Sequence, residues 1–179
     1  ANGIGSDSFA LVWMKDKVHG LNSNGPSPRE ITLDRIRKNH DKMPTFGWTP
    51  VTVPGAPKAW AELNQRFGKL TLLECLTPAI TYAEEGFPVA ANVSYMWKKA
   101  YEKYEELFKG KPEYDEWFET FTFDGKPPEP FQVITLKNHG KTLREIGESD
   151  GQSFYSGALA EAMEKDSLAH GGYLRKKDL

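Results

Sequence analysis

Apolar positions fall in short alternating runs near the start of the chain and in wider, helix-spaced runs after residue 56. In "SFALVWM" (8–14), Phe9, Leu11 and Trp13 alternate with Ala10, Val12 and Met14, which predicts a strand buried on both faces. "KDK" reads as a tight turn and "VHGLN" as a second, antiparallel strand. "SPREITLDRIRKNH" predicts a helix with Ser27 as N-cap, Pro28 at N1 and Glu30 at N3. "VTV" (51–53) is a short strand candidate inside a Pro- and Gly-rich stretch. Trp60, Leu63 and Phe67 define the apolar side of a helix that Gly68 stops.

A further helix is expected from cap Thr71 to stop Gly86, kinked or split by Pro78, after which Pro88 holds the chain extended. "NVSYMWKKAYEKYEELFKG" (92–110) predicts another, with Met96, Ala100, Tyr104 and Leu107 as its apolar side. "EYDEWFETFTFDGKPPEP" is aromatic, acidic and broken by Pro, and reads as a loop with one short strand. Two more helices are expected, from about Lys137 to Ser149 and from about Ser156 to Ala169, joined by "SDGQSFYSG". No internal repeat or low-complexity run is visible.

Composition narrows the classes. With 179 residues, 39% hydrophobic and 27% charged, the chain has enough apolar material for a core and reads as one domain, or a large piece of one, over 1–179. A net charge of -2 provides no field that would draw it to nucleic acid. No run of 18 apolar residues predicts a membrane span. The chain opens without Met and without a signal-type segment, so a processed product or a fragment is expected. Cys75 is the one cysteine, which rules out an internal disulfide, and its helical, apolar neighbourhood predicts a buried structural thiol. The compartment stays open, with the cytoplasm slightly favoured.

Candidate chemistry is sparse. His19, His40, His139 and His170 lie far apart, without the close pairs zinc needs, so no metal site is expected, and no cofactor is implied. "GIGSDSF" precedes a strand, whereas a phosphate loop follows one and opens a helix. Glu84-Glu85 and Glu105-Glu106 read as solvated helix surface, and the Tyr and Trp clusters as core or interface. No serine sits in a G-x-S-x-G elbow. The residues that ask for an explanation are "HGLNSNGPSP" (19–28): two Asn, two Ser, two Gly and two Pro in ten positions, more than a turn requires. Residue chemistry alone gives a mainly helical α+β piece with an N-terminal hairpin and one unusual loop.

One long ordered run adds to this. "VPG" (53–55), a helix with Trp60, "FGKL" (67–70), "LTPAI" (76–80) and "AEEGFPV" (83–89) resemble the gamma-glutamyltransferase family. "LREIGESDGQSFYSGALAEAM", "GGYLRKKDL" and "GIGSDSFALVW" are similar to it as well, so the resemblance runs from Gly3 to Leu179. It implies an N-terminal-nucleophile hydrolase, a four-layer αββα sandwich made as a precursor that cuts itself in two. A threonine at the new N-terminus of the smaller subunit would be the nucleophile, with its own amine as base. This chain would be part of the larger subunit, its partner the small-subunit chain, its substrate a small amide. The catalytic residues would lie outside the chain. The family's transferases carry an Arg four residues before the Pro matching Pro28, where this chain has Asn24; the amidohydrolase and acylase branch tends to place an Arg nearer that Pro, where this chain has Pro26. The loop resembles that branch more, and Asn24 with Ser23 is expected to meet the substrate's polar end. A neutral Asn24 implies a preference for less charged amides. The alternative is a non-catalytic binding or assembly protein that keeps the fold.

Overall fold

Lys15 and Asp16 both adopt left-handed backbone, φ 52° and 56°, which lets two residues turn the chain back on itself with the natural twist of a hairpin. In the computed structural model, which describes residues 3–179, this turn joins β1 (Ser8–Met14) to β2 (Lys17–Ser23). The strands are antiparallel, Ser8 opposite Ser23 and Trp13 opposite Val18. The chain forms two units: residues up to Cys75 together with Glu145–Leu179, and Leu76–Arg144.

In the first unit, α2 (Ala56–Phe67) packs on the hairpin, and the His19 ring meets the Phe67 ring at 5.1 Å. Only one face of β1 is covered by the described residues. Phe9, Leu11 and Trp13 stand 67%, 82% and 68% exposed, so the expected burial of both faces is not met here. α2 buries small residues, Ala56, Pro57, Ala59 and Ala61, because neighbouring backbone approaches closely; Trp60, Leu63 and Phe67 are half-buried. Gly68 ends the helix as expected.

The first helix differs from expectation. α1 is Leu33–Asn39, capped by Thr32, whose hydroxyl accepts the Arg35 N–H at 3.2 Å. Ser27 and Pro28 cannot open it, because the loop before them is bonded elsewhere: Pro26 O accepts the Val53 N–H at 3.0 Å. "VTV" forms no strand, since this one bond is flanked by Pro54, which has no N–H to extend a ladder. α3 (Leu72–Glu85) runs unbroken through Pro78. Thr71 and Glu74 secure its first turn reciprocally, Thr71 N–H to Glu74 Oε2 at 2.7 Å and Glu74 N–H to Thr71 Oγ1 at 3.2 Å. Cys75 is exposed rather than buried, because Leu72, at 3% exposure, takes the inward position of that turn.

The second unit is built on rings. α4 (Ala91–Phe108) turns Ser94, Trp97, Tyr101, Tyr104 and Phe108 inward, at i, i+3, i+7, i+10 and i+14. The expected stripe through Met96 and Leu107 is exposed instead, since the rings bury more area than those two side chains. The segment read as a loop contains α5 (Asp115–Phe121), whose Trp117, Phe118 and Phe121 pack against these rings; Trp117 lies 4.7 Å from Tyr104. Phe108 stacks on Tyr114 at 3.9 Å. The expected short strand there is a single bridge, Phe123 to Lys126. β3 (Phe87–Pro88) pairs with β4 (Val133–Ile134), a strand the sequence pattern missed.

α6 (Lys137–Glu148) returns the chain to the first unit. The expected linker then holds its own short helix, α7 (Gln152–Ser156), before α8 (Ala158–Ala169). The last turn is tied to residues 29 and 30: Asp178 accepts the Arg29 N–H at 3.2 Å, and Glu30 pairs with Arg175 and Lys177.

Candidate functional site

β2 ends at Ser23, and the alternation of the strand puts this residue on the covered side. Its hydroxyl donates to Gly55 O at 2.8 Å. The next residues press against the segment Val53–Gly55 backbone to backbone. A Cβ on Gly25 would collide with the Val53 carbonyl, and one on Gly55 with the Ser23 carbonyl. Glycine is required at both positions by this approach. Gly25 N–H donates to Asp7 Oδ1 at 3.3 Å, and the Asn24 N–H to Asn22 Oδ1 at 3.1 Å, a local turn that shapes the loop.

The start of α2 and the helix α7 close the other side. Ser6 O accepts from the Gly55 and Ala56 amides at 3.1 and 2.9 Å. Tyr155 links both elements: its hydroxyl donates to Pro54 O at 2.7 Å and accepts the Lys58 N–H at 3.1 Å. Burial raises the Tyr155 pKa above its usual value, although the Lys58 N–H pulls the other way. The amides that open α2 are thus engaged by protein groups, and the helix start is not a vacant anion site.

These elements enclose a cavity of about 450 Å³ lined by Ser23 to Pro26, Val53 to Gly55, Lys58, Asp150 to Gln152, Tyr155, Ser156 and Leu179. That volume suits a small ligand. Ser23 and Asn24 therefore both line one cavity, but differently. The Ser23 hydroxyl is committed to the wall, whereas the Asn24 side chain makes no hydrogen bond among the described residues. The other serine of the lining, Ser156, donates to Gln152 O at 3.0 Å, and no histidine lines the cavity. Its described residues can bind and orient, but hold no activated nucleophile. Among the described residues no three of His, Cys, Asp and Glu cluster as metal ligands.

Residue-by-residue reading did not reach Lys58, Asp150 and Tyr155. They lie in the motifs "VPGAPKAW" and "SDGQSFYSG", roughly a hundred positions apart, and only folding joins them.

The sequence matches the family described as gamma-glutamyltranspeptidase over residues 1–179. A glutathione hydrolase-like YwrD proenzyme of Bacillus subtilis is 31% identical, over 98% of this chain and 33% of its own length. Among solved structures, cephalosporin acylase from Bacillus halodurans superposes with a TM-score of 0.95 at 46% identity, covering 99% of this chain and 33% of that one. Gamma-glutamyltranspeptidase from Pseudomonas nitroreducens gives 0.81 at 28% identity, covering 98% and 50%. This is the fold of an N-terminal-nucleophile hydrolase, with the mixed α+β content and N-terminal hairpin expected from the sequence. The chain belongs to the gamma-glutamyltranspeptidase family. It spans about a third of the length of the curated relatives it matches.

Proposed function

We propose that residues 1–179 form one portion of the large subunit of an amide hydrolase or acyltransferase, and that this portion supplies a wall of the acyl pocket. The observation that carries the reading is the cavity behind Asn24, built where two family-like motifs meet. The nucleophile is a threonine outside this chain, at the N-terminus of a smaller partner chain. Its hydroxyl attacks the amide carbonyl while its α-amine takes the proton. The C–N bond breaks, the amine leaves with that proton, and water or an acceptor amine then releases the acyl group. The relatives' names, proenzymes of glutathione hydrolase and acylase, support a precursor that matures into two chains. Asn24 hydrogen-bonds the polar end of the acyl group, and Ser23 holds the wall from which Asn24 projects.

The test is expression of the complete gene. Two chains on a denaturing gel, the smaller beginning with threonine, and turnover of γ-glutamyl or simple acyl anilides are expected. The 179-residue chain alone should be inactive. Turnover by that purified chain, or an intact, uncleaved protein with no amidase activity, would overturn the reading.

A further inference from the structure

The loop that carries Asn24 leaves β2 at Ser23 and runs through Pro26 and Pro28 to Arg29 and Glu30. That far end is fastened to the turn at Lys176–Asp178. The Asp178 side chain is 1% exposed; its carboxylate accepts the Arg29 N–H at 3.2 Å through Oδ1 and the Arg175 N–H at 2.9 Å through Oδ2. The Glu30 carboxylate accepts from Arg175 Nη2 and from Lys177 Nζ, both at 3.2 Å. The other arm of the Arg175 fork is spent on Gly172 O and Leu174 O at 2.8 and 2.9 Å, so the planar guanidinium cannot turn to follow a moving loop. All of these residues belong to the first unit.

The fastening adjoins the cavity on both sides. Pro26 stands three residues before Arg29, Leu179 directly after Asp178, and both line the cavity. Pro26 and Pro28 have fixed φ, and Pro28 is buried, so little slack separates Arg29 from the lining. A displacement of Arg29 therefore reaches Pro26, whose carbonyl accepts the Val53 N–H at 3.0 Å, and beyond it Asn24. We infer that Asp178 and Glu30 are positioning residues of this pocket: their carboxylates clamp the far end of the loop and so hold Asn24 and Leu179 in place before substrate arrives. A buried carboxylate that loses one of its donors is left partly uncompensated, which makes the clamp close fully or not at all. Opening it lowers the fraction of molecules whose loop is seated, and apparent affinity falls by that fraction. Complexes that do form have the loop seated and react at the ordinary rate, so KM moves and kcat does not.

The kinetic arm rests on the amidase reading and uses the complete, processed protein with γ-glutamyl or acetyl p-nitroanilide, whichever the wild type turns over faster. Asp178→Asn keeps the size of the side chain but replaces one acceptor oxygen by a donor. It should raise KM about tenfold, with kcat within about twofold. Glu30→Gln, at a half-buried carboxylate, should raise KM about threefold, and it decides the question alone if Asp178→Asn does not fold. Phe108→Ala, which weakens the second unit and leaves the clamp intact, should leave KM unchanged. An unchanged KM in both clamp variants, a kcat that falls as far as KM rises, or an equal rise of KM in Phe108→Ala overturns the inference. If the wild type turns over neither anilide, the amidase reading fails by itself, and hydrogen exchange of the complete protein decides on the clamp. The Val53 amide, bonded to Pro26 O, should then exchange about tenfold faster in Asp178→Asn, or about threefold faster in Glu30→Gln, than in the wild type. Faster exchange confined to residues 175–179 overturns the inference, as does no change at all.

Discussion

The wall between Ser23–Pro26 and Val53–Gly55 is backbone against backbone, whereas the cluster around Phe108 and Trp117 is ring against ring. The two regions are stabilised by opposite means. At the wall, carbonyls stand where side chains would begin, so one added methyl has nowhere to go. In the cluster, area is buried by large side chains that meet edge to face, tilted or, for Phe108 and Tyr114, stacked, and the loss of one leaves a void that neighbours fill in part. A region of the first kind fixes positions; a region of the second kind supplies stability. This contrast fits a candidate site in the first unit although the second is richer in ring-to-ring contacts.

Substitutions can break the contrast. The largest effect is expected in the cluster: Phe108→Ala should cost about 3–5 kcal/mol, read as a lowered unfolding midpoint of the complete protein. Its kcat/KM per folded molecule should stay within about twofold, since no residue of this cluster lines the cavity. A large loss of activity in the folded fraction would show that the rings position the pocket after all. Gly25→Ala should cost somewhat less stability, on the order of 3 kcal/mol, but nearly all activity, because the loop must leave Val53. A fully active Gly25→Ala enzyme would refute the backbone-contact account of the wall.

Tyr155→Phe sharpens the same point. It strips Pro54 O and the Lys58 N–H of their shared partner, at a cost of about 1–3 kcal/mol, and KM should rise more than kcat falls. A variant indistinguishable from wild type in both would mean that water replaces the hydroxyl. Asn24→Arg is expected to be milder still. The ratio of kcat/KM for a γ-glutamyl anilide over a neutral one should rise roughly fivefold, about 1 kcal/mol; a constant ratio would take Asn24 out of substrate contact. The smallest effect belongs to the cluster's edge. Burial beside Phe121 lowers the His139 pKa below its usual 6.5. The folded state then favours the neutral ring, so this stabilising contribution is complete above pH 6.5 and is lost as pH falls through the lower folded value. An NMR titration midpoint at or above 6.5 would contradict it.

Much of this was legible in the sequence where local rules dominate. The hairpin turn and the stops at Gly68 and Gly86 follow from short-range chemistry, as does the Thr71 cap of α3. The failures have a common cause. Ser27–Pro28 has a capping pattern, but long-range bonds to Val53 claim the loop and shift the cap to Thr32. α5 was hidden because its aromatic residues obey no apolar period of their own; they are placed by the rings of α4. The site was half visible. The loop 19–28 stood out through an improbable density of Asn, Ser, Gly and Pro, and Asn24 with Ser23 within it through the family resemblance. Lys58 and Tyr155 did not, since a lysine on a helix and a tyrosine in a linker look ordinary until folding brings them to one cavity.

The first unit is interrupted in sequence: its strands and α2 come before Cys75, and its closing helices only after Glu145. On the ribosome this imposes a delay. Tyr155 and the Asp178 anchor emerge roughly a hundred residues after the wall they complete, on the order of ten seconds at ordinary rates of synthesis. The face of β1 that carries Phe9, Leu11 and Trp13 stays uncovered through that interval and after it, so the hairpin is a nascent-chain liability. The inserted unit, whose aromatic cluster lies wholly within residues 76–144, can mature first and shorten the effective loop that the outer unit must close.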